Sequence, residues 1–167
     1  MAVRYKVVPP VRDVAFLRAV AGALPLVPGP EADCCTRIRD RTDVPTRDEA
    51  TEWLTFCRAL GLVREADSGF HRVRDEPGPA ALADAFRERV FGAQEALAGV
   101  AGGGTVDDAF AAVRTAIPEW ERARHDDWKA TWRERTRRLL GWADEFGIAR
   151  RVDDGTGGEF RYSAAED

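Results

Sequence analysis

Arginines in short runs carry the clearest chemistry in this chain. "RIRDR" sets Arg37, Arg39 and Arg41 at every second position, Arg47 follows closely, and "RERTRR" holds Arg133, Arg137 and Arg138. A guanidinium is a permanent cation whose planar fork fits a phosphate, and displacing counterions from a duplex supplies most sequence-independent affinity for DNA. Arg72 and Arg74, and later Arg150, Arg151 and Arg161, fall in segments that read as hairpins. The plainer alternative is a solvated face, with Asp40 and Asp43 pairing the first run. Catalysis has less to stand on. His71 and His125 are far apart, no Ser/His/Asp order stands out, and "AGGGT" follows a helix and lacks a phosphate-loop lysine. "HDD" at 125–127 puts its side chains in different directions on a helix, which suits a metal poorly. Cys34, Cys35 and Cys57 are an odd number without a CxxC pair, so they read as reduced, buried thiols; a redox or metal role for Cys34 or Cys35 is the alternative. The expectation is a protein without catalytic residues, metal or cofactor.

Composition limits where phosphate could be held. The chain has 167 residues, 44% hydrophobic and 32% charged, enough for one medium domain or two small ones without disulfides. Its formal net charge of -4 argues against a general nucleic-acid coat, so any DNA contact must be local. Two lysines stand against 23 arginines (25 minus 2), a bias that points to a GC-rich genome. No apolar run approaches the roughly 20 residues that span a bilayer, and "MAVRYKVVPPVRDVAF" lacks the apolar region of a signal peptide. A cytoplasmic protein without membrane contact is expected.

The elements that would position these arginines can be read from periodicity. "VRDVAFLRAVAGAL" is a helix with Val14, Leu17, Val20 and Ala21 on one face, and "PEADCCTRIRDR" another with Ala32, Cys35 and Ile38 inward. Thr46 and Glu49 have capping-box spacing after Pro45. Ala50, Trp53, Leu54, Cys57 and Leu60 then make an apolar stripe that Gly61 is placed to end. The period then changes to two: "LVREA" and "FHRVR" are short strands joined at "DSG". The order is helix, helix, turn, helix, hairpin.

That order, in "IRDRTDVPTRDEATEWLTFCRALGLVREADSGFHRV", resembles the winged helix-turn-helix superfamily. The resemblance implies a recognition helix, a wing, and either DNA or protein as ligand, since winged helices also serve as binding modules in condensin-type and ESCRT-type complexes. A second copy follows. Laying residue 54 on 140 matches Leu54 with Leu140, Leu60 with Phe146, Gly61 with Gly147, Leu62 with Ile148, Arg64 with Arg150 and Phe70 with Phe160, with four extra residues in the second wing. "DEPGPA" breaks periodicity between the copies, giving domains at 1–78 and 79–167, the second led by a long helix over roughly 79–99 with Leu82, Phe86, Val90, Ala93 and Leu97 on one side. Thr105 is a candidate cap for a helix bearing Val106, Phe110, Val113 and Ile117. "PEWERARHDDWKATWRERTRRLLGW" is then either one helix or a short helix bent near "HDD" into a second recognition helix, and the repeat favours the second. It holds Trp120, Trp128, Trp132 and Trp142, read as core, with a partner-binding patch as the alternative. The Trp-x-x-x-Trp-Arg-Glu-Arg stretch loosely resembles uncharacterised archaeal winged-helix proteins. The expected fold is mainly α with small β-hairpin wings, a tandem winged helix-turn-helix.

Two ligands compete on this frame. The first recognition helix would point Asp48, Thr51, Glu52, Thr55 and Arg58 outward, and acids aimed at phosphates oppose binding. The second unit, with Arg133, Arg137, Arg138, Arg151 and Arg161, is the better candidate for double-stranded DNA. A DNA-binding transcriptional regulator is the leading expectation. A tandem adaptor that binds protein is the main alternative, and a homodimer joined through the helix at 79–99 is the third.

Overall fold

The computed structural model describes residues 4–124, 126–152 and 160–165. The chain divides into two compact units, Met1–Val90 and Phe91–Asp167.

The first unit opens with α1 (Val14–Gly22), whose start is capped by Asp13 accepting from the Phe16 N–H at 2.8 Å. Helix α2 (Glu31–Arg41) carries acids in its first turn and Arg39 and Arg41 in its last, the arrangement its dipole favours. Helix α3 (Arg47–Ala59) begins where the spacing predicts, with Thr46 Oγ1 accepting from the Glu49 N–H at 3.1 Å. The whole expected stripe of α3 is buried, joined by Phe56 and Ala59. On α2 the inward set is Cys34, Cys35 and Ile38; Ala32 is exposed, and the face is turned so that Cys34 fills its place. Gly61, at φ 81, ends α3: its N–H donates to Arg58 O at 3.2 Å and the Leu62 N–H to Cys57 O at 3.0 Å.

The chain then forms β1 (Val63–Ala66) and β2 (Gly69–Arg72), antiparallel with Glu65 opposite Phe70. A third, one-residue strand completes the sheet. Gly29 exchanges backbone hydrogen bonds with Phe70, at 2.9 and 2.8 Å. The approach is so close that a Cβ on Gly69 (φ +135) would lie 2.0 Å from the Gly29 carbonyl oxygen. Helix α4 (Pro79–Arg89) packs against α3, and the Arg89 carbonyl accepts from the Tyr5 N–H at 2.7 Å. The continuous helix expected over 79–99 is therefore two helices. Val90 turns extended and Gly92 adopts φ 86, which ends one helix and starts another. The first part belongs to the first compact unit, and the long helix on which a homodimer contact rested is divided.

The second unit repeats the plan with α5 (Ala93–Gly99), α6 (Val106–Arg114), α7 (Glu119–Arg124), α8 (Trp128–Glu145), β3 (Ala149–Val152) and β4 (Arg161–Ala164). Thr105 and Asp108 form a reciprocal capping box at the start of α6. The 118–142 segment is bent, as the repeat required, into α7 and α8. Gly147, at φ 73, ends α8 as Gly61 ends α3: its N–H donates to Asp144 O at 3.1 Å and the Ile148 N–H to Ala143 O at 3.0 Å. Gly104 takes the role of Gly29, exchanging bonds of 2.9 and 2.7 Å with Tyr162.

This pairing corrects the wing alignment. Arg151 lies opposite Tyr162 as Glu65 lies opposite Phe70, so Phe70 corresponds to Tyr162 and not to Phe160. The helix ends are 86 positions apart (147 minus 61) and the bridging aromatics 92 (162 minus 70), so the second wing holds six extra residues, not four. Phe160 is instead an exposed residue near the wing's far end. The tryptophans also divide. Trp53, Trp132 and Trp142 are fully buried, Trp128 is half-buried, and Trp120 is 57% exposed. All three cysteines are buried and free. Among the described residues no helix is long and apolar enough to cross a membrane.

Candidate nucleic-acid interface

In the first unit the arginines surround a recognition helix that is itself acidic. Asp48 is exposed on α3, Glu52 and Thr55 are half-buried, and Thr51 Oγ1 turns back to the Arg47 carbonyl at 3.0 Å. Arg58 pairs with Glu65 on the wing and lies over the rings of Tyr5 and Phe70, so it is held to its own unit. Arg39, Arg41 and Arg47 are exposed and Arg37 half-buried, and no ion pair joins these four to an acid among the described residues. Asp43, the expected partner of this run, is instead taken by Arg12 through two hydrogen bonds of 2.9 and 3.2 Å, which hold its carboxyl below the ordinary range. Arg72 is half-buried on β2; its backbone N–H donates to Pro25 O at 2.9 Å and its Nε is buried without a partner. The run lies on α2 and at the first residue of α3, beside the acidic recognition face rather than on it.

The second unit brings its arginines onto the recognition helix itself. By the repeat, the outward positions of α3 at 48, 51, 52, 55 and 58 become Glu134, Arg137, Arg138, Gly141 and Asp144 on α8. Arg137 is exposed and Arg138 half-buried; both pair with Glu134, at 2.6 and 3.6 Å. Arg133 reaches across to α6 and donates to Asp107 at 2.7 Å, which lowers the Asp107 carboxyl below its usual value, with Arg137 adding to the effect. On the wing, Arg150, Arg151 and Arg161 are exposed, and Arg151 stacks over Phe160 at 4.3 Å.

The second wing packs against α8, and Tyr162 on β4 is buried. Burial raises its phenol above the ordinary value, while Arg151 from β3 and Arg137 from α8 oppose the rise and Asp144 adds to it. The Arg151 backbone N–H donates to Asp144 Oδ1 at 3.3 Å, which ties β3 to the last turn of α8. The arginines of α8 meet acids as well: Arg133 donates to Asp107 at 2.7 Å and Arg137 to Glu134 at 2.6 Å. Reading the sequence identified the cations but not these acids or Tyr162. Asp107 is distant from Arg133 in the chain, and the pair exists only because α6 packs on α8. His125 of "HDD" lies outside the described residues, as does most of the second wing's loop.

Helix, one-residue strand, helix, connection, recognition helix and two-stranded wing, twice over, with α7 inserted in the second connection, define a tandem winged helix-turn-helix protein. The chain belongs to the family described as the halobacterial double winged helix domain, which it matches over residues 3–162. No curated protein and no solved structure matches it.

Proposed function

We propose that this protein binds duplex DNA as a transcriptional regulator, with the second unit making the principal contact. The observation that carries the reading is the attachment of the second wing to α8, the Arg151 N–H donating to Asp144 Oδ1 at 3.3 Å, which makes Arg137 on the helix and Arg151 on the wing one strip able to reach phosphates together. Arg133, Arg138 and Arg161 extend the same strip. Asp107 and Glu134 hold these cations in the absence of DNA, so binding exchanges exposed ion pairs for phosphate contacts. Exposed pairs of this kind are weak and exchange at small cost. The first unit adds Arg37, Arg39, Arg41 and Arg47 as a flanking backbone contact, while its acidic α3 reads no bases.

The test is a salt titration of duplex binding by wild type and by Arg137→Ala, Arg151→Ala. Each phosphate contact contributes about 0.9 to the slope of log affinity against log salt, so the double variant should lose nearly two. An unchanged slope removes the strip from the interface. The acidic face of α3, with Arg58 locked to Glu65, supports a second reading in which the first unit docks a basic protein segment. Under that reading, Asp48→Lys abolishes a protein contact and strengthens rather than weakens DNA binding.

A further inference from the structure

Where the first unit has only the turn between Thr42 and Thr46, the second inserts α7, and that insertion gathers cations on one indole. The Arg122 guanidinium carbon is 5.0 Å from the centre of the Trp128 ring, that of Arg114 is 5.6 Å away, and Lys129 Nζ is 5.8 Å away. Phe110 sits tilted against the same ring at 6.4 Å. The five residues come from three helices: Phe110 and Arg114 from α6, Arg122 from α7, Trp128 and Lys129 from the first turn of α8. Arg122 is anchored by its Nη2 donating to the Arg114 carbonyl at 2.6 Å, at the end of α6, and its Nε is buried with no hydrogen-bond partner. Arg114 and Lys129 are exposed, and no ion pair joins any of the three cations to an acid among the described residues. Glu121, buried on α7, precedes Arg122, and Asp126 and Asp127 precede Trp128; Asp127, at the cap of α8, makes no capping hydrogen bond.

Three positive groups within about 6 Å of one ring repel one another, and the ring's negative face compensates only in part. A multivalent oxyanion at the exposed Arg114 and Lys129 would relieve the crowding. We propose that this cluster is a second phosphate site, which takes a backbone phosphate of duplex DNA at the N-terminal end of α8. The inference rests on the DNA-binding reading and extends its contact from the helix and wing to the inserted α7.

The experiment compares wild type, Arg114→Ala with Lys129→Ala, and Arg114→Lys in duplex titrations across salt, with circular dichroism to verify folding. Arg122 is left intact because it closes α6. The alanine pair should lose about 0.9 from the salt slope, the contribution of one phosphate, while Arg114→Lys keeps the wild-type slope. If wild type binds and the Arg137→Ala, Arg151→Ala variant shows its loss but the Arg114 and Lys129 pair does not, the second site is overturned and the helix-wing strip stands. If wild type does not bind duplex at low salt, both fail. Inorganic phosphate, titrated alone against tryptophan fluorescence, separates the source: a saturable change lost in the alanine pair, with DNA slope unaltered, would make this a small-anion site and overturn the DNA contact.

Discussion

Leu54 and Leu140 occupy the same place in the two units, and that equivalence fixes an expected energy. Both lie in the middle of a recognition helix, four residues before the buried pair's next repeat positions at Arg58 and Asp144, and they are 3% and 0% exposed. Each therefore keeps almost its whole side chain from water. Truncation to alanine loses the transfer free energy of the removed methyl and methylene groups and leaves a cavity that a well-packed helix interface refills only in part; together these cost about 2–5 kcal/mol. For a unit of this size that lowers the unfolding midpoint by roughly 10 °C or more. Thr55, half-buried and outward on α3, is the internal control, and Thr55→Ala should be within about 0.5 kcal/mol of wild type. The assay is denaturant unfolding followed by tryptophan fluorescence, in which Trp53 reports the first unit and Trp132 and Trp142 the second. Leu54→Ala should shift the Trp53 transition, and Leu140→Ala that of Trp132 and Trp142. A loss below about 1 kcal/mol at either leucine would refute equivalent buried positions and the duplication with them.

Gly69→Ala should cost about 1–3 kcal/mol or more from its φ of +135 and from the clash with the Gly29 carbonyl, and hydrogen exchange at Gly29 and Phe70 should speed up; Gly22→Ala, with nothing within 4 Å, should be neutral or slightly stabilising. Asp107→Asn probes the pair with Arg133. The Asp107 carboxyl is depressed in the folded state, so its contribution is present above the ordinary value of 3.8 and is lost as pH falls through the folded value. The variant should be the less stable protein at neutral pH and match wild type in strong acid, as thermal unfolding across pH would show. It should also bind duplex more tightly at low salt, since the carboxylate no longer competes for Arg133; weaker binding would count against the strip.

The elements legible in the sequence are those whose signals are local. Thr46, Gly61 and the stripe from Ala50 to Leu60 set α3 through spacing alone, and the same spacing 86 positions on revealed α8. What could not be read depends on contacts distant in the chain. The strands at Gly29 and Gly104 are one residue long and have no period to detect, yet they determine which wing residue faces inward. Without them, sequence alone matches Phe70 with Phe160, whereas the register places Tyr162 there. The helix over 79–99 kept its apolar spacing across the break, so only the backbone at Val90 and Gly92 shows the division. Of the candidate site, the arginines were visible and their partners were not. Asp107 is 26 residues from Arg133, and the indole of Trp128 acquires its cations only when α6, α7 and α8 pack together.

Backbone amide shifts on addition of a duplex at low salt test most directly whether the second unit grips DNA through α8 and its wing. Saturable changes are expected at 133–138 and on β3 and β4, with the outward face of α3 at Asp48, Glu52 and Thr55 unmoved. Changes centred on α3 and the first wing, or none anywhere at saturating duplex, would contradict that contact.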